Sequence, residues 1–200
     1  MIDNLELIKP LLNFENEGDF YMLYVFKRKK DQPEGEKDNH QSVRTIKTYC
    51  VNSVEYLEKR YTEIQQICEL FSARAYIHIQ KQNHKDISLD MMIALAERIK
   101  NGQHNQNNLF DSIVGQVKTK EKRWVVDIDS QDPKEILKIK LKIDSCQPFG
   151  KDKIIAEIPT KNGCHLITDR FDTLEFQKTF PEIDIQKKNP TLLYLPNSLS

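Results

Sequence analysis

Alternating apolar and polar positions predict most of the elements. "DFYMLYVFKRK" (19–29) is dense in aromatic and β-branched residues and predicts a buried strand; "VRTIKTYCV" (43–51) alternates as a second. The charged, turn-rich run 27–42 between them predicts a long solvated hairpin loop. Asn52 or Ser53 then caps a helix in which Val54, Leu57, Tyr61, Ile64, Ile67 and Cys68 recur at helical spacing. A short N-terminal helix over 4–13, interrupted or capped at Pro10, precedes these elements, and a strand over 73–80 follows them. Ser88 is expected to cap the helix "LDMMIALAERIKNG" and Gly102 to stop it, with polar loop over 103–108.

In the second half "RWVVDIDS" (123–130) predicts a strand. "KEILKIKLKID" carries both signatures, since Leu137, Ile139, Leu141 and Ile143 alternate as in a strand. Asp132-Pro133 decides for helix, being an N-cap followed by proline at the first helical position. Strands over 153–159 and 164–169 flank a turn at Asn162-Gly163. A short helix over 173–179 and strands over 182–186 and 191–196 complete the chain. Hairpins mixed with helical crossings, without a regular βαβ rhythm, give an α+β class with mostly antiparallel sheets. The expected organisation is a single domain over 1–200, with an α/β layer over 1–118 and a second half over 119–200.

Charge and composition narrow the function classes. Lys and Arg number 30 and so do Asp and Glu, so a binder of polyanions needs local patches, not a basic bulk. The four cysteines stand singly, which speaks against a zinc site or a disulfide framework and predicts reduced thiols in a cytoplasmic protein. Neither a signal peptide nor a membrane span is legible. The basic run in "FKRKKD" is offset by the acids that follow it, and reads as solvated loop. Phe20, Tyr21, Tyr24 and Phe26 read as core, not as a base-stacking platform.

Two stretches carry candidate chemistry. In "VVDIDS" Asp127 and Asp129 are two residues apart, so on a strand both carboxylates share one face while Val126 and Ile128 enter the core. Such a pair suits a divalent cation with oxygen ligands; the plainer reading is a strand end followed by a turn or helix cap. In "IPTKNGCHLIT", Gly163 permits either a close backbone approach or a positive φ, and Lys161 and His165 can hold phosphate. The plainer reading is an ordinary hairpin turn with a satisfied, half-buried histidine.

Together the two motifs resemble the catalytic core of archaeo-eukaryotic primases and primase-polymerases, over roughly residues 120–186. The resemblance implies a primase-polymerase-like fold with an RRM-like half carrying both motifs. It also implies Mg²⁺ or Mn²⁺ on Asp127, Asp129 and a later acid, matched by Asp184 in "EIDIQ", and triphosphate contacts from His165, Lys161 and Gly163. The activity implied is nucleotide joining on a single-stranded template, as in small phage or mobile-element members, with a helicase or other replication protein as a further partner. Arg44, Arg74 and the "KRKK" run are the template contacts to expect. Cys164 departs from the family pattern, where an aromatic or aliphatic residue is more usual. The alternative is a non-catalytic module that keeps the fold and binds nucleic acid or a replication protein. A metal-dependent nuclease uses the same ligand types.

Overall fold

A computed structural model describes residues 1–32, 43–105, 109–116, 122–188 and 190–199. It is α+β, with ten strands, all pairing antiparallel, and six α-helices among the described residues. No helix among these residues is long and apolar enough to cross a membrane.

The first sheet is built from β1 (Ile2–Asp3), β2 (Asp19–Arg28), β3 (Val43–Val51), β4 (Arg74–Ile77) and β10 (Thr191–Leu195), in the order β1-β10-β4-β2-β3. The short β5 (Gln82–Asn83) also pairs with β2. Alternation along β2 serves two cores. Tyr21, Leu23 and Val25 pack with Leu57, Tyr61, Ile64 and Cys68 of α2 (Val54–Phe71). Phe20 and Met22 pack with Ile87 of α3 (His84–Lys100) and with Leu109, Ile113 and Val114 of α4 (Leu109–Gln116). Each large apolar side chain buried this way contributes roughly 1.5–3 kcal/mol. Ser53 caps α2 as expected, its hydroxyl accepting from the Tyr56 amide at 3.0 Å. The N-terminal segment is α1 (Leu5–Ile8), followed by a 3-10 turn over Lys9–Leu11 with Pro10 in its first positions.

The second sheet has the order β7-β8-β6-β9, from β6 (Trp124–Ile128), β7 (Ile154–Pro159), β8 (Cys164–Thr168) and β9 (Asp184–Gln186). With α5 (Pro133–Ser145) and α6 (Thr173–Gln177) this is a β-α-β-β-α-β unit. The helix reading of 133–145 holds: Asp132 accepts from the Lys134 amide at 2.9 Å, and Ile139 and Ile143 are fully buried. Trp124, Val126, Ile128, Cys164 and Leu166 face α5 and α6, whereas Val125, Ile158 and Ile167 join the core of the first sheet. The two sheets therefore share one core, and polar residues tie them. Buried Asn4 donates from Nδ2 to the carbonyls of Pro159 and Leu192, each at 2.9 Å, and Gln80 donates to those of Arg123 and Lys187.

Some expectations need correction. The helix expected from Ser88 starts one turn earlier: Asn83 accepts from the Lys85 amide, and Asp86 supplies a first-turn acid. Gly102 does end it, at φ +70°. Helix α4 had no apolar period long enough to announce it. Strand β10, at the end of the 119–200 half, crosses back to lie between β1 and β4 of the first sheet. Most of the expected hairpin loop (33–42) and the end of the polar loop (106–108) lie outside the described residues.

Candidate functional site

Strand register assembles the candidate residues. Asp127 on the interior strand β6 stands directly opposite His165 on β8 and, on its other side, opposite Asp184 on β9. Directly opposed residues of antiparallel strands project to the same face, with Cβ atoms about 4.5–5.5 Å apart. His165, Asp127 and Asp184 thus form one cross-strand row. Asp129 follows the end of β6; it is exposed and makes no hydrogen bond or ion pair among the described residues. Asp184 is also exposed and accepts from Gln186 Nε2 at 2.8 Å.

Gly163 holds the site together at the backbone. A Cβ there would lie 2.0 Å from the Ile128 carbonyl oxygen and 2.7 Å from the Ser130 amide nitrogen. Of the two reasons for glycine, close approach is therefore the one that operates. The turn closes with the Thr160 amide donating to the Gly163 carbonyl at 2.9 Å. Beyond β6, Ser130 bonds Glu135 and accepts from the Asp132 amide, so the segment carrying Asp129 leads straight into the cap of α5.

His165 is placed differently from a cleft-facing phosphate ligand. It is 5% exposed, with Nδ1 2.9 Å from Thr191 Oγ1 on β10 and Nε2 3.4 Å from Asp127 Oδ1. A carboxylate only accepts, so the ring proton facing Asp127 sits on Nε2; in the neutral ring Nδ1 then accepts from the Thr191 hydroxyl. The His165 ring also lies 6.5 Å from that of Tyr76, whose hydroxyl accepts from Arg28 Nη2 at 2.7 Å. The neighbouring imidazole, and more distantly the charge of Arg28, hold the Asp127 carboxyl below its usual value against the upward push of partial burial. Asp127 is thus kept ionised.

Lys161 is exposed and its ammonium donates to the Leu199 carbonyl at 2.8 Å. Arg74 is no template contact: it is buried and donates to both oxygens of Asp31 at 2.9 Å. Cys164, the departure from the family pattern, is buried against α5 and α6, and burial pushes its thiol up to about 12. All four cysteines are free thiols. Sequence reasoning missed Tyr76 and Thr191; Arg28 belongs to the "KRKK" run, read as solvated loop and, through the resemblance, as a template contact. These three meet the site only through tertiary packing.

The donor chemistry fits a hard divalent cation. Asp127, Asp129 and Asp184 offer only oxygen, and Asp127 and Asp184 are like charges set opposite each other, a repulsion that a cation relieves. Among the described residues no three His, Cys, Asp or Glu side chains converge as a ready-made metal cage. Compared with protein families, curated proteins and solved structures, the chain finds no match in any of the three.

Proposed function

We propose that the chain is a primase-polymerase-like nucleotidyltransferase that joins nucleotides on a single-stranded nucleic-acid template. The observation that carries this reading is the register of Asp127 between His165 and Asp184 on the β-α-β-β-α-β unit, taken here as the RRM-like half. Asp127, Asp129 and Asp184 would hold Mg²⁺ or Mn²⁺, which supplies charge neutralisation at the phosphoryl oxygens. Asp127 contributes a carboxylate already ionised. His165, anchored on Thr191, acts as a positioning residue that fixes the orientation of that carboxylate. Half-buried Arg28 adds positive charge on the same side, suited to an incoming triphosphate.

A second reading has its own support. With both nitrogens of a buried His165 engaged, the Asp127–His165–Thr191 chain also works as a staple between the sheets, as in a binding module that uses no metal. The separating experiment is nucleotide incorporation on single-stranded DNA and RNA templates with Mg²⁺ and with Mn²⁺. Incorporation by the wild type, lost in Asp127→Asn and in Asp184→Asn, is the expected result. Template binding without incorporation under either metal overturns the catalytic reading in favour of the binding module.

A further inference from the structure

Strands β2 and β3 set two cations against each other. Lys27 is the direct cross-strand partner of Arg44, so both side chains leave the same face of the sheet. On β2 that face carries Tyr21, Leu23 and Val25, which pack on α2, whereas Arg28 turns to the opposite face and meets Tyr76. Like charges directly opposed across a strand pair are destabilising, and an anion between them relieves that. Lys27 is half-buried and makes no hydrogen bond or ion pair among the described residues, and no acid among them lines the space it borders.

That space is a cavity of about 510 Å³, between β2, β3 and the C-terminal turn of α2. Small-ligand sites span roughly 300–1,000 Å³. Val25 faces Lys47 and Phe26 faces Thr45, so Ile46 is the extra residue of a bulge, a device that re-aims side chains. Ile46 opens an apolar wall, continued by Leu70 and Phe71, which are 78% and 45% exposed. Helix α2 ends on Ser72 at φ +46°, a conformation that glycine adopts at less cost. Serine keeps a hydroxyl at the wall, and that hydroxyl has no hydrogen bond among the described residues. The Ser72 and Ala73 amides satisfy the carbonyls of Glu69 and Cys68, but those of Leu70 and Phe71 accept nothing among the described residues.

The cavity therefore has two unlike sides. The strands offer donors, from Lys27, Arg44 and Thr45; the helix end offers an apolar wall and unused acceptors. A bare anion leaves the apolar wall wet, and an acyl chain leaves the carbonyls unused. A phosphomonoester carries close to two negative charges at neutral pH, matching two cations, and guanidinium suits its oxygens. A planar base packs on an aromatic side chain, and its N–H groups can donate to carbonyls. We propose that this cavity binds a free nucleoside monophosphate, with the phosphate between Lys27 and Arg44 and the base against Phe71. The site is independent of the carboxylate row, because Lys27 and Arg28 leave β2 on opposite faces.

Isothermal titration calorimetry of the whole chain with AMP, in EDTA so that no metal site is loaded, tests this. The expected result is one-site binding with a dissociation constant between about 10 µM and 1 mM. Adenosine and inorganic phosphate, each making half of the contacts, should bind at least about tenfold more weakly. Lys27→Glu and Phe71→Ala should each weaken AMP at least about tenfold, whereas Arg28→Ala should leave it within about twofold. Circular dichroism checks that the variants are folded; Lys27 and Phe71 both reach the surface. No AMP binding up to about 5 mM overturns the proposal. So does binding lost in Arg28→Ala but kept in Lys27→Glu, which puts AMP on the carboxylate side. An oligothymidylate without a terminal phosphate, or an aspartate-rich peptide, that displaces AMP at a lower concentration than AMP itself also overturns it, since the occupant is then a strand or an acidic protein.

Discussion

In the first sheet Arg74 meets Asp31 through two bonds of 2.9 Å, with the side chains 7% and 9% exposed. In the second, His165 meets Asp127 at 3.4 Å; the imidazole is 6% exposed but the carboxylate keeps 31%. One pair is bidentate and sealed. The other is long and one-sided, and stands beside Asp184, which like Asp129 has no partner cation among the described residues. The surroundings match this contrast. The first sheet has helices over both faces, α2 on one and α3 with α4 on the other. The second has helices, α5 and α6, over one face only; on its other face Val125, Ile158 and Ile167 pack into the first sheet's core, and the carboxylate row lies beside them at the seam with β10. The sealed pair leaves its charges with a structural task; the partly exposed Asp127 carboxylate leaves an ionised group within reach of a ligand.

The sharpest way to break this comparison is to cut the sealed pair. Arg74→Ala leaves the Asp31 carboxylate buried without a cation, and breaking such a pair costs about 3–5 kcal/mol. Urea denaturation should show that loss, the largest expected from any single substitution considered. A cost below 1 kcal/mol would mean that Asp31 finds water or another donor, and that the first sheet is as open as the second.

A histidine in the first half supplies a second test through pH. Burial pushes the His78 imidazole, edge-on to Tyr24, down to about 4 from its ordinary 6.5. Between those values the unfolded chain binds more protons than the folded one. Stability is therefore at its full value above about pH 6.5 and falls as pH drops towards 4. At about 1.4 kcal/mol per unit, the loss is on the order of 3 kcal/mol across the window. His78→Gln should flatten the stability profile between pH 4 and 6.5. An unchanged slope would assign the acid sensitivity to other groups.

How much of this was legible in the sequence follows from how local each signal is. The strands at 19–28 and 124–128, the Ser53 cap and the Asp132-Pro133 start are written in neighbouring residues, and the structure places them there. For α3, two capping residues competed. Asn83 won over Ser88 because Asp86 makes a favourable first turn and Ile87 reaches the core. Helix α4 is only eight residues long, too short for periodicity to declare it. In the candidate site, motif spacing offered a shared face only for Asp127 and Asp129; that His165 stands opposite Asp127 comes from the register of β6 and β8. The burial of His165 was hidden, because Thr191 comes from a strand 26 residues on that returns to the other sheet. Arg28 and Tyr76 were equally hidden, 48 residues apart in sequence and joined by one 2.7 Å bond.

Gly163→Ala probes the backbone that supports the open side. The added methyl collides with the main chain of Ile128 and Ser130, which cannot rotate away as a flexible side chain would. Such overpacking typically costs about 1–3 kcal/mol, less than cutting the sealed pair. It should also displace Asp129 relative to Asp127, so metal binding should weaken by more than the stability loss accounts for. Retention of full stability would require the 160–163 turn to swing off β6 without cost.

The smallest expected effect on stability is also the one that best separates the two halves. Asp129 is exposed and unbonded among the described residues, so Asp129→Asn should change unfolding stability by no more than about 0.5 kcal/mol. Asp127→Asn differs: it replaces the carboxylate facing His165 and should show a measurable loss in the absence of metal. That loss should shrink in acid, because the folded carboxyl titrates below its ordinary value. Its stabilising contribution is complete above the unfolded value near 4 and fades as pH falls through the lowered one. Addition of millimolar Mn²⁺ then reverses the ranking. A cation that binds only the folded state raises the melting temperature, and both variants should lose most of that gain because each removes one charge from the same ligand set. A residue that is silent for folding yet decisive for the metal-dependent shift belongs to a site, not to a scaffold. If Asp129→Asn keeps the full Mn²⁺ shift while Asp127→Asn loses it, Asp129 is a turn residue and the cation rests on Asp127 and Asp184 alone. If both keep it, the carboxylate row is a structural feature of the seam, and the second sheet is as closed to chemistry as the first.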